Sequence, residues 1–159
     1  KADFSDMTPT IVKMPVFESF YIRNKGYNSN IKETWQKLQT WILTNNITNY
    51  KQIALFHDNP TITPLNDCQY IGCITVNNPQ KVKSDRLPNF KISDGVYAKF
   101  DLKGKTGDVL PFIHWVYHEW LPKSEYETTT KPSYAIYKKL DFLDDSDEFD
   151  LSFYVSINF

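Results

Sequence analysis

Two histidines are the side chains whose type and spacing most directly suggest chemistry in this chain. His114 and His118 stand four residues apart, so a helix would place both imidazoles on one face, where they could share a metal ion. No acidic residue separates them in the manner of zinc-protease helices, and their phase is opposite the apolar stripe of the same segment. We therefore predict that both face solvent and that the chain holds no metal.

An acidic run in the segment DFLDDSDEFD could suggest a calcium site. Its carboxylates are Asp141, Asp144, Asp145, Asp147, Glu148 and Asp150. The run lacks the glycine and the regular ligand spacing of an EF-hand loop. A solvated loop before the last strand is the favoured interpretation.

The two cysteines, Cys68 and Cys73, give no sign of catalysis or cross-linking. Their odd separation within a strand sends them to opposite faces, so a disulfide is not expected and a reducing cytosol fits. A Gly-rich phosphate loop and a Gly-x-Ser-x-Gly elbow are both absent from the sequence. We predict no cofactor and assign no catalytic residue.

The composition limits the class of protein. The 159 residues predict a single domain over 1–159, and a net charge of −1 offers no basic field for nucleic acid or an anionic membrane. No apolar run approaches the roughly 20 residues of a spanning helix, and the first ten residues do not resemble a signal peptide. A cytoplasmic location is expected. The start without Met suggests a processed or excised piece of a longer protein.

The elements that must position these side chains follow a repeated order. Residues 11–23 predict a β-rich run ending at Gly26, and a helix then carries the stripe Ile31, Trp35, Leu38 and Ile42. Two further strands complete the first half. In the second half a strand over 90–104 precedes a helix over 108–121 and two more strands, and Gly104 lies 78 positions after Gly26.

This order predicts an α+β fold built from two tandem β-α-β-β repeats, about 11–77 and 90–158. A pseudo-twofold axis would join them into an antiparallel sheet backed by two main helices. The seam between two such halves is a natural place for a cleft. Aromatic residues make up 16% of the chain, which fits either a Tyr-rich core or a ligand cavity.

One predicted strand, KPSYAIY at 131–137, has two unequal faces. Alternation puts Tyr134 and Ile136 on one face and Ser133, Ala135 and Tyr137 on the other. Small residues beside a tyrosine leave room on the second face. That room is either filled from elsewhere or left open for a ligand.

Several segments resemble, in order, the GyrI-like effector-binding domains. The matching positions are Arg23, Gly26, Tyr27, Trp35 and Leu38, then Asp58 and Pro60, then Tyr97, Ala98 and Gly104, and finally Trp120, Leu121 and Pro122. The resemblance implies a ligand-sensing module that occurs behind AraC-type or MerR-type DNA-binding domains in bacterial regulators and senses lipophilic, often cationic compounds. Free-standing members resemble gyrase inhibitors, and one branch hydrolyses reactive small molecules with a pocket glutamate.

The resemblance also places that glutamate at a position where this chain has Ala135. An alanine can neither pair with a cation nor act as a general acid or base, so the departure weakens both the hydrolase and the cation-binding interpretations. Glu119 is a weaker substitute, because its helical phase lies to the side of the apolar stripe. The predicted ligand-binding residues are Tyr27, Trp35, Phe56, Tyr97, Trp115, Trp120, Ala135 and Tyr137.

Two function classes follow. The first is an effector-binding domain that takes a lipophilic, aromatic small molecule and regulates transcription through a fused helix-turn-helix domain preceding Lys1, with a homodimer compatible with the full-length protein. The second is a free-standing protein of the same fold, acting as a hydrolase of reactive compounds or as a gyrase inhibitor. About 100 residues with helix-turn-helix patterning upstream of Lys1 would separate the two.

Overall fold

The computed structural model describes residues 3–27, 30–77, 82, 87–139 and 148–158. In these residues the chain forms an antiparallel sheet and two main helices, which confirms the predicted α+β class. The nine strands are β1 Thr10–Met14, β2 Phe17–Lys25, β3 Tyr50–Phe56, β4 Gln69–Val76, β5 Asn89–Ile92, β6 Gly95–Lys105, β7 Glu127–Thr128, β8 Ser133–Lys139 and β9 Glu148–Asn158.

The strand order is symmetric about the seam between β3 and β8. The sheet runs β1-β6-β9-β8-β3-β4-β2-β5, and the short β7 pairs with β9. At the seam Ala54 lies opposite Ala135. Each half contributes β-α-β-β in the same order, as the sequence predicts.

Each half also begins with an additional strand, which corrects the sequence-based prediction of single runs over 11–23 and 90–104. Pro15, which has no backbone N–H, separates β1 from β2. Gly95, with φ of 143°, begins β6 after the break that follows β5. Each of these two additional strands pairs with a strand of the other half, since β1 pairs with β6 and β5 pairs with β2.

The first helix, α1 Ile31–Thr44, buries the predicted stripe against the sheet. Trp35, Leu38 and Ile42 are all buried, as a period of 3.6 residues requires. Asn30 followed three residues later by Glu33 predicts a capping box, but this capping box is not formed. Asn30 has φ of 62° and makes no side-chain cap, and its carbonyl instead accepts a hydrogen bond from the Thr34 hydroxyl.

The second helix covers residues 109–123 and changes its winding twice. It comprises α2 Val109–Trp115, a π turn Val116–Trp120 and α3 Leu121–Lys123, so it extends past Pro122, where the sequence predicts its end. Asp108 does not cap it; its carboxylate accepts the Lys105 N–H at 3.3 Å. Among the described residues no helix is long and apolar enough to cross a membrane.

The sheet separates two apolar clusters of different make-up. The helix-side core joins sheet residues such as Ala135 and Phe153 to Trp35 and Phe112 of the two helices. The cluster on the other face contains strand residues and no residue of either helix. Phe17 of β2 and Tyr134 of β8 meet there at 6.4 Å although β3 and β4 lie between their strands, a span of roughly 14 Å in a flat sheet. The sheet is therefore curled, and this face is concave.

Close packing of α1 on β4 gives a first testable prediction. A Cβ on Gly72 would stand 2.9 Å from Leu38 Cδ1 and 3.1 Å from Thr34 Cγ2. We expect Gly72→Ala to lower the free energy of unfolding by about 1–3 kcal/mol through overpacking. Urea unfolding measures the effect, and Gly107→Ala is the control because its Cβ would have nothing within 4 Å. Equal stability of the two variants would contradict this packing.

Candidate functional site

Three tyrosines form the centre of the concave face. Tyr134 stacks on Tyr154 with ring centroids 4.9 Å apart, and Tyr97 meets Tyr134 edge-on at 5.2 Å. They come from β8, β9 and β6, which are adjacent in the sheet, at positions where alternation points the side chains away from the helices. We call Tyr97, Tyr134 and Tyr154 the concave tyrosine cluster.

The three hydroxyls differ in their hydrogen bonding. The Tyr97 hydroxyl donates to the Ser93 carbonyl at 2.8 Å. The Tyr134 hydroxyl is buried and has no hydrogen-bond partner among the described residues. A buried polar group without a partner is uncommon in folded proteins and is unfavourable unless another group satisfies it. The Tyr134 hydroxyl is therefore an unsatisfied donor within the concave tyrosine cluster.

Burial moves the pKa of these tyrosines further above neutral pH, where a phenol is already protonated. It raises the pKa of Tyr134, to which the nearby Tyr97 and Tyr154 also contribute. Burial raises the pKa of Tyr97 as well, and that of Tyr154 rises despite the opposing hydrogen bond with Ser152. Each hydroxyl is thus a neutral hydrogen-bond donor.

The surroundings of the cluster are apolar beneath and partly exposed at the edge. Side chains that share the cluster and are buried include Ile53, Leu55, Ile71, Cys73 and Ile92. The partly buried side chains packed against them are Val12, Met14, Phe17, Tyr21, Phe90 and Ile136. Small-molecule sites are lined mainly by such apolar and aromatic side chains, with a few polar groups among them.

Charged residues at one end of the concave face neutralise each other. Asp101 accepts a 2.6 Å hydrogen bond from the Ser152 hydroxyl and lies 3.7 Å from the Lys138 ammonium and 4.0 Å from that of Lys99. The Ser152 bond is the main cause that lowers the pKa of Asp101, and the two lysines act in the same direction. Asp101 is therefore a paired carboxylate.

The structure places the predicted ligand-binding residues on both faces of the sheet. Tyr97 belongs to the concave tyrosine cluster. The other seven lie in or against the helix-side core, and these are Tyr27, Trp35, Phe56, Trp115, Trp120, Ala135 and Tyr137. Seven of the eight predicted residues therefore share the helix-side core, and Tyr97 lies on the opposite face of the sheet.

Ala135 is surrounded by the helix-side core. The room that the sequence predicts beside this small residue is therefore filled. Ala135 is 0% exposed, and the Trp35 and Tyr137 rings are 5.8 Å apart on the same face. Trp35 Nε1–H donates to the Tyr70 hydroxyl at 2.7 Å, and Tyr70 in turn bonds Tyr137. Burial raises the pKa of Tyr137 to about 12. This face is therefore a packed core, which is the first of the two alternatives that the sequence leaves open for the room beside Ala135.

The remaining candidates for chemistry lie on the surface or outside the described residues. His114 and His118 are exposed, with ring centroids 5.2 Å apart. Glu119 pairs with Lys123 at 3.0 Å, which holds the pKa of this carboxyl low. Across the ranges that the structure describes, no three potential ligand side chains are grouped for a metal. Of the acidic run, Asp141, Asp144, Asp145 and Asp147 lie outside those ranges.

Sequence reasoning did not select Tyr134, Tyr154 or Phe17. The signal for Tyr134 was present, because alternation already placed it with Ile136 on the face opposite Ala135. What alternation cannot show is which face the helices cover. Phe17 meets Tyr134 only because the sheet curls, a property of the whole fold.

Comparison with known proteins gives a family. The family model described as the GyrI-like small molecule binding domain matches residues 7–157. No curated protein sequence matches the chain.

Solved structures of the same fold include a transcription regulator and free-standing proteins. The C-terminal domain of EcmrR superposes with a TM-score of 0.75 at 16% identity, covering 96% of this chain and 98% of that domain. EcmrR in its DNA complex gives a TM-score of 0.75 at 17% identity, and the match covers 96% of this chain but only 57% of that EcmrR chain.

Two further matches are more distant. SAV2435 bound to tetraphenylphosphonium gives a TM-score of 0.61 at 9% identity, covering 96% of this chain and 94% of that one. A hydrolase encoded by lin2189 from Listeria innocua gives a TM-score of 0.61 at 8% identity, and the match covers 95% of this chain and 92% of that one. At these identities the likeness concerns the fold.

Proposed function

This chain belongs to the family of GyrI-like small-molecule binding domains, and from that premise we propose that it binds a neutral, flat aromatic compound on the concave tyrosine cluster. The observation that carries the proposal is the buried Tyr134 hydroxyl without a partner among the described residues. Since burial keeps this phenol protonated, the hydroxyl would donate to an acceptor such as a carbonyl oxygen. The rings of Tyr97, Tyr154 and Phe17 would supply stacking and edge contacts.

The proposed preference for a neutral compound follows from the charges at the site. Among the described residues, the polar side chains that are buried are serines and threonines, with no Asp or Glu. Asp101 is paired with two lysines. A cation would therefore lose its hydration without gaining a buried carboxylate.

The proposed biological role is regulation of transcription. The fold likeness to EcmrR, which is solved in complex with DNA, supports a domain that senses a ligand and signals to a DNA-binding segment of the same polypeptide. The coding sequence upstream of Lys1 tests this part. A helix-turn-helix segment of about 100 residues would support it, and an initiation codon directly before Lys1 would contradict it.

Ligand binding is tested by thermal shift with three compounds of similar size. Fluorenone is flat and neutral and carries a carbonyl, fluorene lacks the carbonyl, and N-methylacridinium is a cation. We expect fluorenone to stabilise the domain most, and a ligand at a hundredfold excess over its Kd adds about 2.7 kcal/mol. The reason is that only fluorenone can accept from Tyr134 without bringing a charge.

Matched variants locate the binding site. Phe17→Leu at the rim should reduce the fluorenone shift, because the Phe17 ring contacts Tyr134. Leu43→Ser should leave it unchanged, since Leu43 is an exposed apolar residue on α1. A larger shift with N-methylacridinium than with fluorenone, or equal effects of the two variants, would contradict the proposal.

A further inference from the structure

Two exposed histidines lie together on the second helix, away from the concave tyrosine cluster. His114 is in α2 and His118 is in the π turn, and their ring centroids are 5.2 Å apart. Two imidazoles that bind one metal ion at about 2.0–2.1 Å have ring centroids roughly 4.5–5.2 Å apart, for angles at the metal between square-planar and tetrahedral values. The two rings therefore need only turn about their side-chain bonds to share an ion.

The exposure of this pair suits a surface chelate. The sequence predicts no metal here because no acidic residue separates the histidines, as in zinc-protease helices, and because both face solvent. A chelate of two histidines needs no such residue, since water completes the coordination of an ion at the surface. Imidazole nitrogen suits Cu²⁺, Ni²⁺ and Zn²⁺, whereas Mg²⁺ and Ca²⁺ prefer oxygen ligands.

A carboxylate lies close to the two imidazoles. Glu119 is five residues after His114, which in a regular α-helix would turn the two side chains about 140° apart. The π turn Val116–Trp120 has i→i+5 winding, which returns residues five apart toward one side. Lys123 is the main cause that lowers the pKa of Glu119, and the charges of His118 and His114 act in the same direction. The carboxylate is therefore within electrostatic reach of both imidazoles.

The carboxylate of Glu119 can be drawn away from its present partner. The Lys123 ammonium lies 3.0 Å from it, and both side chains are well exposed. Exposed ion pairs of this kind are weak. A divalent cation at the two histidines therefore competes with Lys123 for Glu119.

We propose that His114 and His118 chelate a divalent transition-metal ion, Cu²⁺ in preference to Ni²⁺ and Zn²⁺, with the Glu119 carboxylate beside it. The preference follows the general order of affinity of protein sites for these ions. The bound ion joins α2 to the π turn, because each contributes one ligand. The site shares no residue with the concave tyrosine cluster, so this inference and the proposed function can fail separately.

Quenching of tryptophan fluorescence by Cu²⁺ measures the binding, since Trp115 directly follows His114. We expect Cu²⁺ to bind more tightly than Ni²⁺ or Zn²⁺ in competition titrations, and Mg²⁺ not to compete. His114→Gln and His118→Gln should each weaken Cu²⁺ binding by at least about tenfold, because a single imidazole remains.

The control for both histidine variants is His57→Gln. His57 is the only other histidine of the sequence and is also exposed. We expect this variant to bind Cu²⁺ as tightly as the unsubstituted domain. Unchanged affinity of His114→Gln or His118→Gln, or an equal loss with His57→Gln, would overturn the proposal.

Charge variants test the position of the carboxylate. Glu119→Gln should weaken Cu²⁺ binding about two- to fourfold, and Lys123→Gln should strengthen it by a similar factor because it releases Glu119. The controls Glu33→Gln and Lys37→Gln disrupt an exposed ion pair with the same i,i+4 spacing on α1, where the two groups are 3.3 Å apart. If the variants at 119 and 123 behave like these controls, the carboxylate is not beside the ion.

Amide NMR locates the ion independently of any variant. Cu²⁺ is paramagnetic and broadens the resonances of nearby nuclei. We expect the broadening at substoichiometric Cu²⁺ to be centred on residues 109–123. Broadening spread over the whole domain, or centred on another segment, would show an adventitious ion only and contradict the site.

Discussion

Ala135→Glu is expected to lower the free energy of unfolding by at least about 3 kcal/mol at neutral pH, without conferring cation binding. Ala135 is 0% exposed, faces Ala54 across the seam, and shares its side of the sheet with Trp35 and Tyr137. A glutamate here would both overpack the core and bury an unpaired charge. Chemical denaturation at pH 7 measures the loss.

A neighbouring variant provides the control for the Ala135 prediction. Ile136→Glu places the same carboxylate on the concave face, where Ile136 is only partly buried. We expect a smaller loss of roughly 1–2 kcal/mol. Because burial raises the pKa of a carboxyl, acidification below its unfolded pKa should restore more stability to Ala135→Glu than to Ile136→Glu. A stable Ala135→Glu domain that gains affinity for cations would show that the helix face opens to ligands.

Tyr134→Phe is expected to stabilise the domain while weakening ligand binding. The variant removes a buried hydroxyl that has no partner among the described residues, so the free energy of unfolding should rise by about 1 kcal/mol. Fluorenone should bind about five- to tenfold more weakly, because its carbonyl loses the donor. Urea unfolding without ligand and titration with fluorenone measure the two effects.

Tyr97→Phe is the matched control and should act in the opposite direction on stability. Its hydroxyl donates to the Ser93 carbonyl at 2.8 Å, so its removal should lower the free energy of unfolding by about 1 kcal/mol. Opposite signs at two adjacent tyrosines would be difficult to explain by general packing. If Tyr134→Phe is destabilising and leaves fluorenone binding unchanged, the hydroxyl is a structural group rather than a ligand donor.

The repeated organisation could be predicted from the sequence because it rests on local patterns. The helical stripe beginning at Ile31, the glycine at Gly26 with φ of 98°, and the apolar stripe of the second helix are signals within short windows. The exchange of β1 and β5 between the halves is a long-range pairing that leaves no local mark. The winding of the second helix also escapes prediction, since π turns have no simple periodic signal.

The location of the site could be predicted only in part. Alternation correctly grouped Ala135 with Tyr137 and Tyr134 with Ile136. Which of these two strand faces the helices cover depends on the whole sheet and cannot be read from the strand alone. The small residue at Ala135 suggested space, whereas Ala135 is fully buried in the helix-side core that also contains Trp35. The curl that brings Phe17 to Tyr134 assembles the ligand site that we propose on the other face.

Tyrosine-ring NMR is the most direct test of which face binds the ligand. The domain would be labelled with ¹³C in its tyrosine rings, and resonances assigned through single Tyr→Phe variants before titration with fluorenone. We expect large shifts for Tyr97, Tyr134 and Tyr154, and little change for Tyr27, Tyr70 and Tyr137 in the helix-side core. Shifts confined to the helix-side tyrosines would contradict a ligand site on the concave face.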